Sequence, residues 1–108
     1  MNTPAWVELI RALQLSDRPP SAYAAVARDF SRLIFTAGAC PVNPAGATVA
    51  VGDVAGQAGQ VMANLVTALR AAGAELTDVV KTTVYVASQH PDAPVAAWEV
   101  VSRHVGDH

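Results

Sequence analysis

"DVAGQAGQVMANLVTALRAAGAELTDVVKTTVYVAS", residues 53–88, carries the two periodicities from which the fold is read. Asp53 is a helix-capping residue type. Val54, Ala58, Val61, Leu65 and Leu69 follow it at helical spacing, and Gly73 stands where a helix end favours left-handed backbone. The spacing predicts an amphipathic helix. The period changes at "TDVVKTTVYVAS", where Val80, Thr82, Val84 and Val86 alternate with Val79, Lys81, Thr83 and Tyr85, a pattern that predicts a strand.

Downstream, a second helix is expected after "HPDAP", with Val95, Trp98, Val101 and Val105 on its buried side. Upstream, Tyr23 to Arg28 and Arg32 to Ala37 read as the two arms of a hairpin around Asp29-Phe30-Ser31. "GACPVNPAG", residues 38–46, then holds the chain irregular through Pro41, Asn43, Pro44 and Gly46. At the start, Thr3-Pro4 opens a helix pattern with Trp6, Leu9, Ile10 and Leu13 on one face, and "SDRPPS" ends it. The expected organisation is an N-terminal helix and linker over 1–19 and one domain over 20–108. The element order predicts an α+β architecture, with helices packed on one face of a mixed sheet.

With 108 residues, 52% of them hydrophobic, the chain has material for one modest core. Seven basic residues against nine acidic ones give a net charge of −2, without a run of either sign. This excludes the basic stripe of a nucleic-acid binder. Charged Glu8, Arg11, Asp17 and Arg18 interrupt the first twenty residues, so no signal-peptide core or membrane span is expected. A single cysteine makes no internal disulfide, which suits the cytoplasm.

Candidate chemistry is sparse. Cys40 has no histidine near it in sequence to activate a thiolate, and reads as a small apolar residue closing a strand. His104 and His108 are spaced i, i+4, but Gly106 lies between them and no third ligand stands out, so no metal is expected. Gly52, Gly56 and Gly59 lack the lysine of a phosphate loop and the strand of a dinucleotide fingerprint; they read as a small-residue face for close packing.

Three stretches together resemble a known family: "IFTAGACPVNPAG", the helix-to-strand block at 53–88, and the tyrosine-bearing "SAYAAV" upstream. They are similar to the RidA family, which carries the older label L-PSP endoribonuclease. The resemblance implies a chorismate-mutase-like α+β fold over Pro20 to His108, assembled as a homotrimer with ligand clefts between subunits. It implies hydrolysis of enamines and imines such as 2-aminoacrylate to a 2-keto acid and ammonia, without metal or cofactor. Tyr23 matches the tyrosine that lines the cleft, and Gly38 the glycine whose backbone closes on the ligand.

The chain departs from the family pattern in three places. Ala37 stands where active members carry serine. With residues 106–108 aligned to the family's helix end, Trp98 takes the place of a cleft asparagine. The family's carboxylate-binding arginine, two further strands and a glutamate follow that helix end, whereas this sequence reaches His108 first. The catalytic residues are therefore unassigned, and the chain is expected to be incomplete relative to the family fold. Two functional expectations stand side by side: an enamine/imine deaminase, and a non-catalytic or altered-specificity homologue that binds a small metabolite. The ribonuclease label fits least, because the acidic balance and the lack of a paired general acid and base argue against RNA cleavage.

Overall fold

The computed structural model describes residues 4–18 and 22–105. The strongest sequence signal becomes the principal element. Helix α1, Val54–Ala71, starts where the Asp53 carboxylate accepts a hydrogen bond from the Gly56 N–H at 3.0 Å. It ends in a pair of nested bonds: Ala74 N–H donates to Leu69 O at 2.8 Å and Gly73 N–H to Arg70 O at 3.0 Å. This geometry needs left-handed backbone at Gly73, whose φ is +81°. A 3-10 turn, Leu76–Asp78, leads away from it, and helix α2 spans Ala93–Val105.

The two helices pack on each other. Met62 of α1, with Val101 and Val105 of α2, forms the core, and Leu65 and Leu76 pack against it. On α2 the buried row is Ala93, Ala97, Val101, Val105, spaced by four residues, while Val95 and Trp98 face outward, 58% and 46% exposed. Val101 and Val105 are buried as expected, and Val95 and Trp98 are corrected to the outer face. Large apolar residues turn the expected face toward Val95 and Trp98, since the other two members of the true ridge are alanines with little hydrophobic signal of their own.

The N-terminal helix is also corrected. Residues 7–10 form strand β1, Val7–Ile10, paired antiparallel with β2, Ala24–Ala27, in the register Val7↔Ala27 to Ile10↔Ala24. An isolated helix of this length is marginal, and Leu9 and Ile10 are half-buried in the strand pair while Leu13 is left fully exposed. Val7 turns inward, and Glu8 turns outward to pair with Arg28. The partner of β2 is therefore β1 and not residues 32–37. Left-handed Asp29, at φ +56°, turns the chain away instead of closing the expected hairpin.

Among the described residues the sheet has two antiparallel strands, where a mixed sheet is expected. Neither 32–37 nor 79–86 joins a ladder. Strand propensity is present in both, but a strand is completed by a partner's hydrogen bonds. The alternation at 79–86 does not carry through to burial: Thr82 and Val86 are half-buried, but Val80 and Val84 on the same expected face are 41% and 40% exposed, and Val79 on the other is half-buried beside a 91% exposed Tyr85. The molecule is thin, 18 Å along its short axis, close to the thickness of two element layers. The observed class is α+β, a small antiparallel sheet with two helices.

Candidate functional site

The four residues singled out from the sequence lie on three different parts of the chain, Ala37 and Gly38 being neighbours. Tyr23 leads into β2, its N–H donating to Ile10 O at 2.9 Å. Its hydroxyl folds back over the β1–β2 connection and donates to Ser16 O. Ala37 and Gly38 lie on the exposed segment before Cys40, and a Cβ built on Gly38 meets nothing within 4 Å. The close approach expected of that glycine is therefore not made to any part of this chain. Trp98 stands on the outer face of α2. Among the described residues no hydrogen bond joins any of the four to another.

The segment after Gly38 is a loop held by several internal hydrogen bonds. Val42 and Thr48 form a bridge, Asn43 N–H donates to Ala47 O at 2.9 Å, and Val49 N–H to Pro41 O at 2.9 Å. Inside it the Asn43 carboxamide oxygen accepts from both Ala45 and Ala47 N–H at 3.0 Å, an Asx turn closed by Gly46 at φ +84°. Cys40 is exposed rather than buried at a strand end. Its carbonyl accepts from Val42 N–H at 2.8 Å and from the Asn64 side chain at 2.9 Å.

Asn64 lies on the polar flank of α1 with Gln57 and Gln60. The Asn64 carboxamide donates to both Cys40 O and Val42 O at 2.9 Å, and its oxygen accepts from Gln60 Nε2 at 2.9 Å. Gln57 Nε2 donates to Val49 O at 3.2 Å. The sequence reading passed over these residues because it followed the apolar stripe of α1. The readable signal is the spacing of three amides at i, i+3 and i+7, one helix face beside that stripe.

The glycine-rich start of α1 has a local purpose. A Cβ on Gly56 would run into the Asp53 carboxylate, whereas one on Gly59 meets nothing within 4 Å. Gly56 thus makes room for the cap, which corrects its reading as a packing face. His104 Nδ1 lies 2.9 Å from Val100 O, and His108, its sequence partner, falls outside the described residues. Among the described residues no three His, Cys, Asp or Glu side chains gather to hold a metal, and no helix is long and apolar enough to cross a membrane. A shallow groove lined by Val66, Arg70, Glu75, Leu76 and Thr77 contains none of the four candidates.

The family model described as Endoribonuclease L-PSP matches residues 15–107. The chain belongs to this family. The resemblance to the RidA family drawn from the three motifs is thereby shown. Among similar proteins, the 2-iminobutanoate/2-iminopropanoate deaminase of Escherichia coli (strain K12) is 42% identical over 69 residues, covering 64% of this chain and 53% of that protein. A RutC family protein of Pyrococcus horikoshii is 35% identical over 74 residues, 68% of this chain and 57% of its own. Protein DfrA of Myxococcus xanthus is 36% identical over 74 residues, 65% of this chain and 56% of its own. The match thus spans little more than half the length of these curated relatives. No solved structure matches.

Proposed function

We propose that this L-PSP family chain takes part in hydrolysis of small enamines and imines of the 2-aminoacrylate type, in clefts between the subunits of a cytoplasmic homotrimer. The observation that carries the reading is the 42% identity to a relative named 2-iminobutanoate/2-iminopropanoate deaminase. Two features of the chain support it. Tyr23, Ala37, Gly38 and Trp98 all lie at the surface, open to completion by another subunit. Leu33, Phe35, Val51 and Tyr85, each more than 60% exposed, are apolar surface of the kind that association covers.

The chemistry asks for modest means. Water adds to the imine carbon while the nitrogen takes a proton; the resulting carbinolamine then collapses to the 2-keto acid and releases ammonia. The Tyr23 hydroxyl is a donor and acceptor able to orient that water, and the peptide at Gly38 is open to a ligand on a side where no Cβ intrudes. Trp98 supplies an apolar wall. The carboxylate anchor and the proton donor are assigned to no residue of this chain.

A second reading is favoured by Ala37 and Trp98, which replace a hydroxyl and an amide of the family pattern by apolar groups. In that reading the cleft binds a small metabolite without turning it over, or accepts a different substrate, since losing hydrogen-bonding partners shifts selectivity strongly. The test is the release of 2-keto acid and ammonia from freshly generated 2-aminoacrylate, with the oligomeric state of the same sample measured in parallel. Acceleration above buffer supports the deaminase. A folded trimer that gives no acceleration sinks that reading in favour of the binding protein.

A further inference from the structure

We infer that Asn64 is a positioning residue: its carboxamide clamps the 40–49 turn onto α1 and so fixes the path of the chain that leaves Gly38. Both of its N–H groups are spent on that turn, at Cys40 O and Val42 O, 2.9 Å each. Gln60 Nε2 holds its oxygen from the far side, so the amide sits in one orientation. Asparagine is a poor helix former, and inside Val54–Ala71 alanine would serve the helix itself better. Its presence on α1 is accounted for by the loop. Gln57 makes a second attachment one end further along, at Val49 O, 3.2 Å, so that the turn is pinned at both its ends.

The consequence for chemistry rests on the deaminase reading. Gly38 and Ala37 are only two and three residues before the clamped Cys40 carbonyl, so a loosened turn lets the peptide at Gly38 wander before a ligand is bound. Ordering it then costs binding energy, and the loss falls on KM more than on kcat.

The test is amide hydrogen exchange on the full chain, comparing wild type with Asn64→Ala and with the size-conserving Asn64→Asp, which puts an accepting oxygen where the NH2 that donates both bonds stands. In both variants protection of the Asn43, Gly46, Ala47 and Val49 amides is expected to fall roughly tenfold to a hundredfold, the equivalent of two ordinary hydrogen bonds. Amides of α2 and of the last turn of α1 are expected to stay as they are. Unchanged protection at 43–49, or an equal fall through both helices, overturns the inference. With 2-aminoacrylate as substrate, a rise in KM at nearly constant kcat supports the positioning role, and an unaltered KM in variants with a loosened turn overturns it. Wild-type protein without activity refutes the deaminase reading alone; the exchange data then decide the clamp by themselves.

Discussion

Replacing Met62 by alanine is expected to cost about 3 kcal/mol. Met62 is 1% exposed and sits between Val101 and Val105, with Leu65 and Leu76 around them. The change removes three heavy atoms beyond Cβ, worth about 2 kcal/mol in transfer at about 0.8 kcal/mol per group. A residual cavity adds to this, and the measured range for methionine to alanine in cores is about 2–5 kcal/mol. A value near the lower middle is expected, because the cavity is bounded chiefly by two helices that can close on it in a molecule only 18 Å thick. A domain of this size holds about 5–15 kcal/mol in total. The assay is urea unfolding followed by far-ultraviolet circular dichroism. With a slope of about 2 kcal/mol/M, the midpoint falls by about 1.5 M. Val95→Ala on α2, at a position 58% exposed, is the control and is expected to shift stability by less than about 0.5 kcal/mol. All samples are held at one protein concentration, since association raises apparent stability. Equal losses at the two positions, or a larger one at Val95, would refute the assignment of the buried face.

Two further outcomes follow from the caps and charges. Gly73→Ala forces φ +81° on a residue with a Cβ, which would also lie 2.7 Å from the Arg32 guanidinium that bonds to Gly73 O; thermal unfolding should register a loss of about 1–2 kcal/mol, and no loss would show that the helix end rearranges freely. Glu8→Gln removes the ion pair with Arg28, whose partners are both more than half exposed, so stability should change by less than about 1 kcal/mol at low salt and by still less in 1 M salt; a larger, salt-independent loss would contradict the pair's exposed setting.

The two helices were legible because their signals are local. The Asp53 carboxylate caps within three residues, the apolar repeat runs along one chain segment, and Gly73 alone satisfies the left-handed stop. The phase of α2 was legible only at Val101 and Val105, because a ridge continued by Ala93 and Ala97 is visible only once a neighbouring helix lies against it. The N-terminal segment shows the same limit from the other side. Trp6, Leu9, Ile10 and Leu13 satisfy a helical period, but pairing between Val7–Ile10 and Ala24–Ala27 is a contact across some seventeen residues of sequence, and no local pattern contains it.

The candidate site divides in the same way. Family membership was carried by the motifs around Tyr23, Gly38 and the 53–88 block, since each is a short continuous run. That Tyr23, Ala37, Gly38 and Trp98 are all exposed on this chain, and that the Asn64 amide meets two carbonyls 24 and 22 residues away, belong to tertiary structure alone. The sequence by itself determined the capped helix, its stop and the family, because backbone propensity and side-chain periodicity act over a few residues. Only the tertiary structure decided which strand pairs with which, which face of α2 is buried and which side chain holds the 40–49 turn, because hydrogen bonds and packing between distant segments depend on where the folded chain brings them.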